Sequence, residues 1–223
     1  QRPDVIEALR ETALIQSAES SNRIEGVTVE RNRLKPLVLG NSEPRDRPEE
    51  EIVGYRKALS WIHENYEDIK ISPDTIRQLH RLAQSGMSGD GGEWKRTDNE
   101  IIEILPNGER QIRWKAVSAA DTPKAMESLC TAYRHAINKE LIPPLLASGS
   151  FVLDLLCIHP FRDGNGRVSR IVTLRFIYEH VDRVGRYISI ERIVEESKES
   201  YYEFLFQSSQ GWHEAQHDPV PWW

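Results

Sequence analysis

Apolar positions recur at helical spacing along most of this chain, with one β-like interruption near its middle. Val5, Ala8, Leu9, Ala13 and Ile15 predict a helix over about 4–18. The small polar run from Glu19 to Gly26 reads as a capped helical turn that Gly26 ends. Residues 27–39 show no readable period. Asn41 to Arg47 is a polar loop, and Pro48 stands where a helix can start. That helix is expected over about 49–66, with Ile52, Tyr55, Leu59 and Ile62 on one face. Ser72-Pro73 supplies an N-cap with proline at the first helical position, ahead of a helix over 75–84 carrying Ile76, Leu79, Leu82 and Ala83. The interruption follows. Ser85 to Gly92 is glycine-rich, and the β-rich runs Ile101–Leu105 and Gln111–Trp114 flank Asn107-Gly108, which predicts a hairpin. Asp121-Thr122-Pro123 caps the next helix, to about 138, with Met126, Leu129, Cys130, Tyr133 and Ile137 inward. Pro143-Pro144 opens an apolar helix that stops at His159, because Pro160 disfavours α conformation there. Val168, Ile171, Val172, Leu174, Phe176 and Ile177 mark a second apolar helix. One last helix is expected from about 190 to 206, with Tyr201, Tyr202, Phe204, Leu205 and Phe206. The fold class is all-α: six to eight helices bundled around a central pair, with one small hairpin.

Composition narrows the class without altering that picture. At 223 residues, 39% hydrophobic and 29% charged, the chain has material for one sizeable globular core. A net charge of -6 argues against a nucleic-acid-binding surface over the whole molecule but allows a local basic pocket. Cys130 and Cys157 fall inside apolar helical patterns and read as buried free thiols of a reducing, cytoplasmic compartment. No apolar run is long enough to cross a bilayer and no signal peptide is visible, so no membrane partner is expected. A chain that starts at Gln1 and stops on Pro221-Trp222-Trp223 is expected to be part of something longer.

The chemistry is concentrated between the two apolar helices, in His159-Pro160-Phe161-Arg162-Asp163-Gly164-Asn165-Gly166-Arg167-Val168-Ser169-Arg170. Carrying so many polar groups into an apolar frame is costly, and a site is the usual reason. Gly164 and Gly166 let a ligand approach the main chain, and the helix that starts there offers N–H groups and a dipole to an anion. Phosphate is the natural occupant. Arg167 and Arg170, three apart, share a helix face and suit bidentate phosphate contact. Two guanidiniums with a helix N-terminus imply more than one phosphate, hence a nucleotide. Asp163 beside an anion site makes sense if Mg²⁺ bridges carboxylate and phosphate. His159 can act as a general base. Each residue has an ordinary reading when taken alone: His159 as a helix-ending or core histidine, Asp163 as a cap, the arginines as solvated. Zinc on His159 and Asp163 lacks a third ligand nearby, and the loop has no P-loop lysine. The ordinary readings do not explain why all these groups share one short stretch. Together they describe nucleotidyl or phosphoryl transfer to a hydroxyl.

This stretch resembles the signature of the Fic (filamentation induced by cyclic AMP) family, His-Pro-Phe-x-Asp/Glu-Gly-Asn-Gly-Arg-x-x-Arg, and matches each defined position. The resemblance implies a helical Fic fold with the hairpin as its flap, over a core expected at 48–210 between an N-terminal region, 1–47, and a C-terminal segment, 211–223. It implies transfer of AMP from ATP, with Mg²⁺, onto a Ser, Thr or Tyr hydroxyl of a target protein. His159 would then deprotonate the hydroxyl, Asp163 hold Mg²⁺ and Phe161 anchor the loop. Gly164, Asn165 and Gly166 would form the anion hole, with Arg167 on the phosphates and Arg170 on the γ-phosphate. The flap residues Ile101, Ile102, Glu103, Ile104 and Ile112 would align the target's peptide by strand addition. Tyr201 and Tyr202 would contact the nucleoside.

Ser21-x-x-x-Glu25-Gly26 is similar to the family's inhibitory motif, Ser/Thr-x-x-x-Glu-Gly/Asn. In such proteins the glutamate pairs with the second arginine of the signature, here Arg170, where a carboxylate takes the place of the γ-phosphate. The expectation is a self-inhibited adenylyltransferase. Three alternatives stay open: removal of AMP from a modified protein, transfer of another nucleotide, and a nucleotide-sensing module whose brake rarely lifts. A homodimer is possible. Family members resembling this chain often continue into a winged-helix DNA-binding domain, but nothing in these residues would bind nucleic acid.

Overall fold

The computed structural model describes residues 2–85, 89–104, 108–181 and 183–223, with backbone alone at 103, 104, 183 and 184. Its centre is the expected pair of apolar helices, α6 (Pro144–Ile158) and α7 (Asn165–His180). Phe151, Leu153 and Leu155 of α6 and Val168, Ile171, Val172 and Phe176 of α7 are fully enclosed. Phe151 and Phe176 meet edge to face at 5.3 Å, and Tyr133 of α5 (Thr122–Asn138) closes the cluster at 4.8 Å from Phe176. On the other flank lie α3 (Arg47–Asn65) and α4 (Pro73–Ala83). Gly54 lets them touch, since a Cβ there would overlap the Ala83 carbonyl. Among the described residues, no helix is long and apolar enough to cross a membrane.

Several elements form where the pattern places them. Asp46 accepts from the Glu49 N–H (3.0 Å) ahead of α3, and Ser72 accepts from the Thr75 N–H (3.1 Å) ahead of α4. The hairpin forms from β1 (Glu100–Ile104) and β2 (Arg110–Lys115), antiparallel, with Ile102 opposite Ile112 and a bulge between Ile101 and Ile102. Gly108 has φ +82°; Asn107, and Gly86 to Ser88 of the glycine-rich stretch, lie outside the described residues. Trp114 docks the hairpin on the core by donating to the Cys157 carbonyl (2.8 Å).

Four readings are corrected. Glu19 to Gly26 is no separate turn, because α1 runs unbroken from Pro3 to Ile24. Its small polar residues have better partners inside the protein than at a cap: Asn22 donates to the Ala18 carbonyl (2.8 Å) and Ser21 is fully buried. Gly26, at φ +81°, does end the helix; the Val27 and Gly26 N–H groups bond back to Asn22 and Arg23. The unreadable stretch contains α2 (Arg31–Val38), held by buried Leu34, Leu37 and Val38 despite Pro36 inside it. Asp121 does not cap α5; its carboxylate accepts from the Ser118 hydroxyl (2.6 Å) instead. The last long helix is two, α8 (Ile190–Glu196) and α9 (Lys198–Ser209), broken at Ser197. Lys198 reaches across to donate to the Ile24 carbonyl (2.9 Å), a tertiary contact that periodicity cannot show. Beyond α9 the chain folds back on α6, where Trp212 donates to Asp154 (2.6 Å) and Trp222 to the Gly149 carbonyl (2.9 Å).

Three histidines are held neutral in the interior. His63, which pairs with the Tyr178 hydroxyl (2.6 Å), His80 and His159 are each pushed down to about 4, first of all by burial. A folded pKa below the unfolded value means the unfolded chain binds more protons between the two, so stability present above pH 6.5 is lost as pH falls toward 4. Glu49, held at about 2 by its bond with Arg33, loses its contribution only below the ordinary carboxylate range. Urea denaturation at pH 6.5 and pH 5 is therefore expected to show a loss of roughly 1–2 kcal/mol per histidine. Equal stability at the two pH values would contradict neutral burial of all three.

Candidate functional site

The site begins where α6 stops. His159 lies at φ 51°, ψ 62°, the left-handed region that a non-glycine residue enters only when held there. Pro160 and Phe161 follow, and Phe161 is completely buried, stacked on the His80 ring at 3.7 Å. His80 accepts at Nδ1 from the Gly92 N–H (2.9 Å), so its Nε2 carries the proton and donates to the Asp163 carbonyl (3.0 Å). Asn165 closes the turn with both ends of its amide: Oδ1 accepts from the Phe161 N–H (2.9 Å) and Nδ2 donates to the Phe161 carbonyl (2.8 Å). Its side chain shapes the loop, and only its N–H is left for an anion. Gly164, at φ +81°, is packed so closely that a Cβ would sit 2.5 Å from Gln84 Nε2.

The first turn of α7 then opens with N–H groups that have no intrahelical partner. Two arginines of this helix diverge. Arg167, 2% exposed, is drawn inward to Glu51 of α3 at 2.8 Å, with Asp163 at 3.5 Å from its other nitrogen. Arg170, 3% exposed, faces α1: Nε donates to the Ser21 hydroxyl (2.8 Å), and Nη2 donates to the Ser21 carbonyl (3.0 Å) and the Glu25 carboxylate (2.7 Å). Burial disfavours the Arg170 charge, but Glu25, with Tyr55 and Tyr201, more than offsets this and its pKa is raised. Glu25 also stands directly over Gly166, where an added Cβ would overlap its Oε1. The carboxylate therefore occupies the space in front of the helix N-terminus. Asp163 points outward, its side chain 54% exposed, with its Oδ1 accepting from the Gly164 N–H (2.7 Å).

His159 is a neutral imidazole. Burial, and then the Lys95 ammonium, lower its pKa to about 4 against the opposite pull of the Leu156 backbone, Glu25 and Asp163. Its Nδ1 is buried and makes no hydrogen bond among the described residues. A cleft of about 300 Å³ lies between the hairpin and α9, lined by Ile101, Trp114, Cys157, Tyr202 and Leu205 among others. Tyr202 faces this cleft; Tyr201 packs instead against Trp222 (5.1 Å), its hydroxyl pushed up to about 12 by burial. On the hairpin, Ile102 and Ile112 are 49% and 55% exposed; the side chains of Glu103 and Ile104 lie outside the described set.

Thus the structure brings together His159, Asp163, Gly164, Gly166, Arg170, Ser21 and Glu25, and turns Arg167 and Tyr201 toward internal partners. Sequence reasoning missed Glu51, Lys95, Asn99 and His80. Two of these carried a signal: Glu51 is four residues before Tyr55, and His80 four after Ile76, so both fall on apolar helix faces where an unpaired polar group would be costly. Lys95 and Asn99 lie in a loop without period and carried none.

Residues 70–177, from just before α4 to the end of α7, match the model of the Fic/DOC family. Over 166 residues the chain is 26% identical to a protein of Drosophila grimshawi named protein adenylyltransferase Fic, a match covering 72% of this chain and 30% of that one. Over 161 residues it is 25% identical to a protein of Ostreid herpesvirus 1 named ribonucleoside-diphosphate reductase small chain, covering 67% of this chain and 27% of that protein. The chain thus spans less than a third of either relative. In three dimensions it superposes on a Fic domain containing signaling protein from Bacteroides thetaiotaomicron with a TM-score of 0.73, at 22% identity, over 99% of this chain and 80% of that one. The two relatives' names point to different chemistry; the family match contains the whole loop from His159 to Arg170. Residues 70–177 thus match the Fic/DOC family, and the chain shares the fold of a Fic domain containing protein.

Proposed function

We propose that the chain is a self-inhibited protein adenylyltransferase, moving AMP from ATP to a Ser, Thr or Tyr hydroxyl of a target protein. The observation that carries this reading is the seat of Glu25, whose carboxylate lies on Arg170 and over Gly166. The anion site at the start of α7 is filled by the chain's own anion. A buried guanidinium beside free N–H groups binds phosphate as readily as carboxylate, so Glu25 and the γ-phosphate of ATP compete for one place. Displacing the glutamate admits the nucleotide.

The remaining groups fit the transfer. His159, neutral at physiological pH, takes the proton of the target hydroxyl as its oxygen bonds to the α-phosphorus. The bond from that phosphorus to the bridging oxygen breaks, and pyrophosphate leaves. The N–H groups of the first α7 turn hold the phosphate oxygens that gain charge. Asp163 would hold Mg²⁺: its carboxylate is exposed beside the anion site, and one carboxylate completed by phosphate oxygens suits this ion. When bound, Mg²⁺ supplies neutralisation of phosphate charge. The apolar cleft with Tyr202 suits the adenine base, and the exposed Ile102–Ile112 pair with its strand edge suits an extended target segment.

Glu25→Gly is expected to raise self-labelling from α-labelled ATP by about tenfold or more, matching loss of at least ~1.4 kcal/mol of competition. Equal labelling of the two proteins would refute self-inhibition. Adding His159→Ala to that variant should cut labelling by about 10²–10⁴ while leaving ATP affinity, by calorimetry, within about threefold. Gly166→Ala in the same background should abolish ATP binding, because its Cβ takes the anion's place whether or not Glu25 is present.

A further inference from the structure

The four carbonyls of the turn that ends α6, from Ile158 to Phe161, face a single five-residue segment before β1. Lys95 Nζ donates to the Ile158 carbonyl (3.2 Å) and the His159 carbonyl (2.9 Å). The Lys95 N–H donates to the Pro160 carbonyl (2.9 Å), and Asn99 Nδ2 to the Phe161 carbonyl (3.2 Å). The third ammonium proton goes to Asn99 Oδ1 (2.7 Å), which ties the two side chains together. Lys95 is 5% exposed, its three acceptors are neutral oxygens, and Asp98 is the one carboxylate whose charge supports the ammonium. An ammonium in that setting is costly to bury, and burial brings its own pKa down to about 8. The C-terminal dipole of α6 offsets part of this cost. A neutral donor would close a helix end more cheaply, so the charge itself calls for an explanation.

We propose that Lys95 is a positioning residue for His159, clamping the end of α6 so that His159 turns left-handed and presents its imidazole to the reacting hydroxyl. A non-glycine residue in that region is strained, and the two bonds from Nζ and the bond from the Lys95 N–H offset the strain. The ammonium has a second effect, because it is the charged group that opposes protonation of the ring. The other charged groups facing His159, Glu25 and Asp163, favour protonation. Lys95 thus keeps the base free of a proton while carboxylates and an incoming nucleotide surround it. The segment it belongs to leads directly into β1, so the root of the hairpin and the orientation of the base are fixed by the same contacts.

This inference rests on the reading of His159 as the base, and the test separates the two. With ¹³C-labelled histidine, and His159→Ala to assign the signal, the ring is titrated from about pH 8 to 4.5. The wild-type ring is expected to stay neutral throughout. Lys95→Gln keeps donors and removes the charge, and should move the midpoint up by about one unit, into the observed window. Lys95→Arg should follow the wild type. A Gln variant whose ring stays as neutral as the wild type overturns the proposal, and this readout needs no catalytic activity. In the Glu25→Gly background, Lys95→Gln should lower kcat by about tenfold or more with the KM for ATP within about threefold, and Lys95→Arg should recover most of the rate. A change confined to KM would also overturn it. Inactivity of Glu25→Gly itself would count against adenylyl transfer and leave the titration to judge Lys95.

Discussion

A guanidinium that is nearly sealed from water must have an anion beside it, and most of the arrangement around Arg170 follows from that requirement. α7 places it where the helix dipole and unpaired N–H groups already favour negative charge. The chain meets the need with Glu25, and the remaining donors go to the hydroxyl and carbonyl of Ser21. Because an ion pair at this depth is strongly destabilising to break by removing one partner, the site is stable only with some anion in place. That is the physical basis of the proposed exchange between an internal carboxylate and a nucleotide phosphate.

The carboxylate arrives on a rigid support. α1 is continuous to Ile24, and its C-terminal end is tied from the other side of the molecule. Lys198 donates to the Ile24 carbonyl, Arg23 pairs with Glu195 (3.0 Å), and Tyr55 donates to buried Glu191 (2.9 Å) just behind Ser21. Each tie runs between elements far apart in sequence. The break between α8 and α9 at Ser197 is what points Glu195 and Lys198 at the same helix end. Opposite, segment 95–99 holds the turn that carries His159. Arg170 and His159 thus have separate supports, and substitution of one support need not disturb the other.

How much of this was legible in the sequence depended on whether the cause was local. α4 was readable because Ser72-Pro73 states its own start, and the α6–α7 pair because apolar residues fill it. The loop from His159 to Arg170 was readable because its chemistry is contiguous. What escaped were features set by distant partners. Ser21 and Asn22 look like cap residues, yet they lie inside a helix, where Asn22 Nδ2 donates to the Ala18 carbonyl and the Ser21 hydroxyl accepts from Arg170. Arg167 looked like a phosphate ligand, and only the fold shows Glu51 waiting for it. Tyr201 and Tyr202, adjacent in sequence, face different surroundings for the same reason.

On the proposed reading, the contact between Glu25 and Arg170 also makes the site a threshold device. Any anion entering must first find the fraction of molecules in which the carboxylate has swung away, so its apparent affinity is its intrinsic affinity scaled by that fraction. If the closed contact is favoured by about 3 kcal/mol, half-saturation shifts upward by roughly 150-fold. A single carboxylate can thus set the ligand concentration at which the protein responds, without altering a single contact that the bound ligand makes.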